Sequence, residues 1–399
     1  MITKNPFSGS FLSGFVYTPE LSFFTNDEIL LMEEKLNKFE QIILNPEIER
    51  GLITKNELLA SYAISKAENS TLTLAEAQDV HKLILSNPNF DFLKEKIQNN
   101  EKLTQKDHDK LEFFNIAKTY RSLSALNFNI KDLNKEFIKK IHFDLTFGLD
   151  IFSEFLFDFT PYKSGHLRDN NDIRVGNYSP SDYKETETSL NELIIWIVKN
   201  PNPISVAIFH TALYALHPFN NGNKRVCRIL EHLLLKTVGL NSKNLYSTSY
   251  YYHKEKERYY KYLLFSLERK NLNHFTNFVQ EAITLSMATV IKTSIDSKRV
   301  EFLNKQTIES QVKSILKPLI KQKQIQFKNL FKISKRKVSR QTFVNYLEKS
   351  VNENIIVKKE IGKKTYYSLN FTAREEKTLK EWIDEISKKL NYIPDFLTR

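Results

Sequence analysis

The twelve residues HPFNNGNKRVCR, at positions 217–228, lead directly into an apolar helix, and this junction constrains the fold more than any other stretch of the chain. Apolar residues recur at i, i+3, i+4, i+7 and i+8 from position 226, which predicts a helix that begins close to Gly222 and buries one face. The residues of this buried stripe are Val226, Ile229, Leu230, Leu233 and Leu234. One loop therefore places a histidine, a glycine turn and three cations at the start of a buried helix.

The start of that helix has the chemistry of a phosphate site. Its free backbone N–H groups and the positive end of the helix dipole attract anions. Gly222 lets the backbone approach an anion closely, and the side chain of Asn223 can donate to phosphate oxygens. Arg225 and Arg228 are three residues apart, share a helix face and can clamp phosphate groups. His217 can act beside them as a neutral base for a hydroxyl proton, so the pattern predicts phosphoryl or nucleotidyl transfer.

A structural role is the alternative for each of these residues taken singly. Three cations at a helix N-terminus oppose its dipole and need an anion to offset them, which favours the functional interpretation of the whole cluster. Phe219 and Cys227 are instead predicted to be packing residues, and His210 is predicted to be a buried residue of the preceding helix.

Composition limits the class of protein. A chain of 399 residues suits two or three domains, and 41% hydrophobic residues with 29 Phe and 18 Tyr indicate a globular protein. No apolar run approaches the ~18 residues of a membrane span, and the opening MITKNPFSGS lacks the apolar segment of a signal peptide. Cys227 is the only cysteine, which excludes an intrachain disulfide and argues against a cysteine-based zinc site. We therefore expect a cytoplasmic protein without a membrane partner.

Three blocks follow one another along the chain. Residues 1–104 are predicted to be helical, because TNDEILLMEEKLNKFEQIIL opens with a Thr-Asn cap and repeats apolar residues at helical intervals. Residues 105–295 are also helical, with a single β-hairpin predicted near 163–178. Residues 300–399 form a third block, with helices near 307–322, 325–333 and 339–353 and then two strands. The expected fold is mainly α, with a small α+β domain at the C-terminus.

The motif resembles the signature of the Fic family, H-x-F-x-[D/E]-G-N-[G/K]-R-x-x-R, and the similarity extends over roughly residues 1–295. The preceding helix PISVAIFHTALYALHPF and the segment GHLRDNNDIRVGNYSPSDY resemble the family's motif helix and target-docking flap. The resemblance implies a Fic-type helical fold and a protein adenylyltransferase, which moves AMP from ATP to a Ser, Thr or Tyr hydroxyl of a protein target or of itself. It implies that His217 is the catalytic base and that Mg²⁺ or Mn²⁺ is the cofactor, and it allows a homodimer. The implied ATP-binding residues are Gly222, Asn223, Lys224, Arg225 and Arg228.

Two motif positions leave the chemistry open. Asn221 stands where the family usually has Asp or Glu as a magnesium ligand, and an amide oxygen is a weaker ligand for a hard cation. Lys224 places a cation where Gly is common, as in the family's Doc-like kinases, so another phosphate-containing group could be the one transferred.

A second resemblance lies far upstream, in LLASYAISKAENSTLTLAEAQDV. It is similar to the inhibitory helix of Fic proteins, [S/T]-x-x-x-E-[G/N], with Glu68 and Asn69 matching and Ile64 in place of Ser or Thr. The resemblance implies that Glu68 pairs with Arg228 and blocks the seat of the γ-phosphate. A surface glutamate near a helix end is the alternative.

The C-terminal block resembles a winged helix-turn-helix domain. It carries a balance of +11, with 22 Lys/Arg against 11 Asp/Glu after residue 300, out of a net +12 for the chain. Such a balance fits an anionic partner such as DNA, whereas winged helices also dock proteins. The chain is therefore either an autoinhibited transferase or a DNA-binding regulator that senses nucleotide without transfer. The candidate DNA contacts are Arg340, Gln341, Thr342, Asn345, Lys358, Lys359, Lys363 and Lys364, with Phe343, Tyr346 and Leu347 turned inward.

Overall fold

The computed structural model describes the backbone of residues 4–43, 46–334 and 338–398, and the side chains of these residues except 39–43, 46–48 and 398. The chain divides into two compact units: residues 1–39 with 49–286, and residues 40–48 with 287–399. No helix in the described part of the chain is both long enough and apolar enough to cross a membrane. The predicted boundary at residue 104 stays a prediction.

The first unit is helical, which confirms the mainly α prediction. Its first helix begins where expected, because Thr25 and Glu28 cap it reciprocally through their side chains and backbone N–H groups. Of the apolar residues that recur in TNDEILLMEEKLNKFEQIIL, Ile29, Met32 and Leu36 are buried and Leu30 is exposed. Phe39 and Ile42, which also recur, lie outside the described side chains. The helices up to residue 305 are α1 (Asn26–Ile43), α2 (Pro46–Lys66), α3 (Leu74–Ser86), α4 (Lys94–Gln98), α5 (Gln105–Ala125), α6 (Lys135–Thr146), α7 (Tyr183–Lys199), α8 (Pro203–Leu216), α9 (Asn223–Thr237), α10 (Thr248–Lys254), α11 (Lys256–Glu268) and α12 (Asn273–Lys305). Residues 40–43, 46–48 and 287–305 of three of these helices, α1, α2 and α12, belong to the second unit.

Helices α8 and α9 form the centre of this unit. Helix α8 is buried along nearly its whole length, and it packs against α7, α9 and α11, while α5 and α6 also contact α9. Asn202 caps the start of α8 by accepting the Ser205 N–H. The loop between α8 and α9 is the predicted motif, so the most buried pair of helices holds it in place. Phe219, Cys227 and His210 are all buried, as predicted.

The predicted flap hairpin is much reduced. Within residues 163–178 the structure has a single antiparallel bridge, between Val175 and Tyr178, around Gly176 in the left-handed region. The prediction of two paired strands is wrong, because side chains rather than a strand partner satisfy this backbone. Arg168 donates to the Asn170 carbonyl, and Asn171 accepts the N–H of Tyr183.

The second unit contains a small sheet of three antiparallel strands, β1 (Ile325–Gln326), β2 (Ile356–Ile361) and β3 (Lys364–Leu369), in the order β1–β3–β2. Strands β2 and β3 form a hairpin that turns at Gly362, and Ile356 pairs with Leu369 at its base. Phe343 and Leu347 are fully buried and Tyr346 is half-buried, as predicted. Pro318 divides the helix expected at 307–322 into two. The elements are α13 (Ser310–Leu316), α14 (Pro318–Lys321), β1 (Ile325–Gln326), α15 (Phe327–Ser334), α16 (Arg340–Asn352), β2 (Ile356–Ile361), β3 (Lys364–Leu369), α17 (Glu375–Ile386) and α18 (Asp395–Thr398).

Candidate active site

His217 ends helix α8 in a left-handed conformation, with φ 49° and ψ 61°. Its Nδ1 lies 3.3 Å from the Tyr214 carbonyl oxygen, which can only accept, so Nδ1 carries the proton and Nε2 keeps a free lone pair. Burial lowers the pKa of His217 to about 4, which keeps the imidazole neutral near pH 7. The side chain is therefore arranged as a base.

The motif loop is closed by side chains on its own backbone. The Asn223 amide accepts the Phe219 N–H at 3.0 Å and donates to the Phe219 carbonyl at 2.7 Å. The side chain predicted to hold phosphate is thus engaged in the loop, and Asn223 would meet an anion through its backbone N–H at the start of α9. Phe219 itself is fully buried, which fits its expected anchoring role.

His142 supports the loop from below. Its ring stacks on Phe219 at 3.9 Å between centroids, accepts the Gly165 N–H at Nδ1, and donates from Nε2 to the Asn221 carbonyl. Burial lowers the pKa of His142 to about 3, so this bridge stays neutral. A neutral histidine therefore joins the flap segment to the motif loop.

The turn before α9 offers few ligands for a metal ion. Gly222 has φ 81°, and its N–H donates to Asn221 Oδ1 at 2.7 Å. The motif loop contains no carboxylate, and the described residues contain no group of three or more His, Cys, Asp or Glu that could hold a metal. These residues do not fit a tightly held magnesium ion, whose usual protein ligand is a carboxylate.

The three motif cations meet partners supplied by the chain itself. Lys224 Nζ lies 3.3 Å from Glu68 Oε2, and Arg225 Nε lies 3.9 Å from Glu68 Oε1. Arg225 Nη1 also lies 3.3 Å from a second carboxylate, Glu112 Oε2. The anion that the cluster required is therefore present twice, as Glu68 and Glu112.

Arg228 was expected to pair with Glu68, but it has other partners. It donates to the Ala63 carbonyl at 3.2 Å, and its guanidinium lies over the Tyr259 ring at 4.4 Å. Glu68, among the described residues, pairs with Lys224 and Arg225 and not with Arg228, so the expected partner is corrected. The physical reason is that the helix α2 carbonyl and the tyrosine face already hold the Arg228 guanidinium.

Glu68 lies in the turn directly after α2, where the helix presents its last carbonyls. Lys224 and the Tyr260 hydroxyl both point at the Ala67 carbonyl, at 3.5 and 2.9 Å. Burial would raise the pKa of the Glu68 carboxyl, but Lys224 and then Arg225 outweigh it and lower that pKa. Burial also opposes the charge of Lys224, and Glu68 outweighs it and raises the pKa of Lys224. The pair is ionised, and it places negative charge at the N-terminus of α9.

Three supporting residues were missed by the sequence analysis: Arg168, His142 and Glu112. Arg168 is buried, donates to the His217 carbonyl at 2.8 Å, and also bonds the backbone on both sides of the flap. The sequence offers one signal for such residues, which is a polar residue among the apolar positions of a predicted helix. Glu112, next to two phenylalanines, is an example.

The candidate DNA contacts lie on one helix and one hairpin of the second unit. Arg340, Gln341 and Asn345 are exposed on α16, and Gln341 donates to Asn345 at 3.0 Å. Lys363 is exposed at the hairpin turn. Lys364, Lys359 and Lys358 are also exposed, with Lys358 paired to Glu360 at 2.8 Å, and Thr342 is half-buried. The turn before α16, residues 335–337, lies outside the described residues.

The candidate site thus consists of three cations at the start of a buried helix and a neutral histidine at the end of the preceding helix. Residues 132–235 match the model of the Fic/DOC family, so the chain contains a Fic/DOC domain. Members of this family generally transfer nucleotide or other phosphate-containing groups to proteins.

Several solved structures are similar to this chain. A Fic family protein from Desulfovibrio desulfuricans is 17% identical, covering 88% of this chain and 99% of that one, with a TM-score of 0.49. A Fic domain containing signaling protein from Bacteroides thetaiotaomicron is 18% identical, covering 67% of this chain and 98% of that one, with a TM-score of 0.46. Fic-1 from C. elegans is 16% identical, covering 69% of this chain and 73% of that one, with a TM-score of 0.49.

Proposed function

We propose that this chain is a protein adenylyltransferase that moves AMP from ATP to a protein hydroxyl and is held inactive by Glu68. The observation that carries the proposal is the His217 imidazole, neutral and with Nε2 free, beside a cation cluster at the start of α9. A site that only bound nucleotide would not need a base at this place.

The chain's own residues divide the work. His217 Nε2 takes the proton of the target hydroxyl as that oxygen attacks the α-phosphorus. The N–H groups at the start of α9 and the guanidiniums of Arg225 and Arg228 stabilise the charge on the phosphates, and pyrophosphate leaves. Glu68 must first withdraw, because its carboxylate fills the space that a phosphate would take and neutralises the charge of Lys224 and Arg225 that would bind the phosphate.

The proposal is tested with ATP labelled at either phosphate. Purified chain carrying Glu68→Gly is incubated with α-labelled or γ-labelled ATP, each with magnesium or manganese. Label retained on protein only from α-labelled ATP supports AMP transfer. Label retained only from γ-labelled ATP would show phosphate transfer, the alternative that Lys224 raises.

A second candidate is a regulator that binds nucleotide without transferring any part of it. The observation that favours it is Asn221, whose side-chain oxygen is engaged with the Gly222 N–H and supplies no charged metal ligand. Nucleotide binding with no retained label from either ATP, under either metal, would support this regulator and contradict the transferase.

The second unit is proposed to be a winged helix-turn-helix domain that binds duplex DNA. Its helix α16 exposes Arg340, Gln341 and Asn345 beside a lysine-bearing hairpin, which is the arrangement that a groove and its phosphates require. Docking of a protein is the alternative use of the same domain.

A further inference from the structure

Glu112 is a buried carboxylate that belongs to none of the motifs. It lies in the middle of helix α5, only 2% exposed, with Oε2 3.3 Å from Arg225 Nη1. Its other oxygen accepts the hydroxyl of Ser65, one turn before Glu68, at 3.2 Å. A buried charge of this kind is costly unless it is paired: burial raises the pKa of the Glu112 carboxyl, and the charge of Arg225 opposes that rise.

Tyr162 holds the same guanidinium from another side. Arg225 Nη2 donates to the Tyr162 hydroxyl at 3.3 Å, and the guanidinium lies 5.0 Å from the centre of that ring. The Tyr162 hydroxyl is in turn 3.0 Å from His108 Nε2, while His108 Nδ1 lies 3.2 Å from the Asp109 carboxylate. Because that carboxylate only accepts, Nδ1 carries the proton and Nε2 accepts the hydrogen bond of the Tyr162 hydroxyl, which leaves the phenol oxygen to accept from Arg225.

Arg225 therefore has two fixed partners and one partner that can leave. Glu112 is part of a buried helix, whereas Glu68 is in a turn with a side chain 17% exposed. The Nε and Nη1 atoms of Arg225 are buried and make no hydrogen bond among the described residues, so Nη1 meets Glu112 as an ion pair. The guanidinium is thus held by the charge of Glu112 and by one hydrogen bond to Tyr162, while its Nε donor stays free of any hydrogen bond.

We propose that Glu112 is a positioning residue, which keeps the guanidinium of Arg225 oriented towards the phosphate seat after Glu68 has withdrawn. Glu68 neutralises two cations, Lys224 and Arg225. When Glu68 withdraws, Lys224 loses this carboxylate partner, whereas Arg225 keeps Glu112 and Tyr162 as partners. This inference rests on the proposed function for its transfer readout.

The test uses full-length chain in the Glu68→Gly background. Glu112→Ala removes the carboxylate, and Glu112→Gln keeps an oxygen that can face Arg225 while its amide group faces Ser65. The matched control is Glu281→Ala, which breaks another carboxylate–arginine pair with a buried carboxylate, the pair with Arg258, and neither residue belongs to the motif. The readouts are kcat and KM for label transfer, binding of inorganic tripolyphosphate by calorimetry, and the melting temperature.

We expect Glu112→Ala to lower kcat/KM by about 10-fold to 100-fold, because displacement of a charged group by about 1 Å can cost about 100-fold in rate. Glu112→Gln should retain transfer within about threefold, and it should bind tripolyphosphate more tightly because one negative charge has gone. Glu281→Ala should lower the melting temperature without changing kcat/KM. If Glu112→Ala does not fold, the rise in tripolyphosphate affinity of Glu112→Gln is the deciding measurement.

Failure of this inference differs from failure of the proposed function. Transfer by Glu68→Gly that Glu112→Ala reduces no more than Glu281→Ala does would overturn the positioning role and leave the transferase standing. Absence of transfer in Glu68→Gly, with tripolyphosphate binding that Glu112→Gln strengthens, would overturn the transferase and retain the role of Glu112. Tripolyphosphate affinity unchanged by Glu112→Gln would overturn the coupling of Glu112 to Arg225.

Discussion

At the scale of single residues, the motif is a positive site that the chain neutralises itself. Lys224, Arg225 and Arg228 crowd the start of α9, where the helix dipole already disfavours cations. Glu68 and Glu112 offset that charge. One of the two carboxylates is fixed in a helix and the other is in a turn, so under the proposed function the exchange of Glu68 for phosphate would be a local event.

The first prediction concerns the base. His217→Ala in the Glu68→Gly background should lower label transfer by ~10²–10⁴, because that is the usual contribution of a general base. Binding of ATP should survive, since the start of α9 and its cations remain. Transfer is measured with α-labelled ATP and binding by calorimetry. Near-normal transfer by this double variant would remove His217 from the reaction.

The second prediction is a pH profile. Burial lowers the pKa of His217 to about 4, so the base is already unprotonated throughout the neutral range. In the Glu68→Gly variant kcat/KM should therefore stay flat between about pH 6 and pH 8, and it should fall only as the pH approaches that pKa. A histidine at its ordinary pKa of about 6.5 would instead lose about fourfold over this range. Such a loss, measured by initial rates, would contradict the buried neutral base.

The residue scale also shows what a sequence can reveal. The motif residues could be predicted because they are neighbours along the chain and share one helix start. Arg168, His142 and Glu112 could not, because each reaches the motif from a distant element and nothing local marks its partner. The pairing of Glu68 was wrong for a related reason, since two tyrosine rings and an α2 carbonyl compete for Arg228.

At the scale of elements, the end of helix α2 faces the cations of the motif. The carbonyls of Ala63 and Ala67 and the Glu68 carboxylate all face motif cations. The C-terminal end of α2, which carries negative partial charge, thus meets the cations at the start of α9. The dipole of α2 favours these cations, and the dipole of α9 favours the Glu68 carboxylate. Thr71, just beyond this turn, is tied to Asp109 of α5 through its N–H and hydroxyl at 2.6 Å.

The third prediction is that Glu68→Gly raises self-modification by about 10-fold to 100-fold, because a charge-assisted pair with Lys224 and Arg225 is removed and its space is freed. Retained α-label on the chain is the measurement, with magnesium and with manganese. The gain should be lost again when Arg228→Ala is added.

Asn69→Gly is the matched control for that change. Asn69 already has φ 64°, so glycine adds freedom to the same turn without strain and leaves the carboxylate in place. The control should stay close to the unmodified chain. If Asn69→Gly activates as much as Glu68→Gly, then loosening of the turn, and not the carboxylate, explains the release. If neither activates under either metal, the autoinhibition proposal is wrong.

The fourth prediction concerns the flap. Arg168 connects it to the motif by donating to the His217 carbonyl and to both sides of the flap itself. Arg168→Lys keeps the charge but loses the planar guanidinium that donates to several carbonyls at once. Transfer should therefore fall by about 10-fold or more, because the flap and the motif loop are no longer held in position relative to each other. Arg174→Lys, an exposed position in the same flap, should leave the rate unchanged. Equal rates for the two variants would show that Arg168 supports only stability, which their melting temperatures measure.

At the scale of the whole molecule, charge and chemistry are separated along the chain. Residues after 300 carry +11 of the net +12, whereas the candidate active site is in the first unit. Helical periodicity predicted the α-rich first unit because buried stripes such as that of α9 are long and regular. The flap was not predictable in this way, since its shape depends on the side chain of Arg168 and not on alternation in its own sequence.

The fifth prediction tests the DNA proposal on the full-length chain. If the hairpin of β2 and β3 meets phosphates, Lys363→Ala with Lys364→Ala should weaken binding to any duplex and reduce the slope of log K against log salt by about 2, since each phosphate contact contributes about 0.9. The matched control is Lys377→Ala with Lys380→Ala, which removes the same charge from exposed positions of α17 and should leave the slope unchanged.

Asn345→Ala on α16 should instead alter preference among duplex sequences with little change in slope, because amide side chains read base edges. Affinity is measured by fluorescence anisotropy across a salt series. An unmodified chain that binds no duplex at low salt would refute the DNA proposal and favour protein docking, and equal losses in the two lysine pairs would show attraction by net charge without a defined surface.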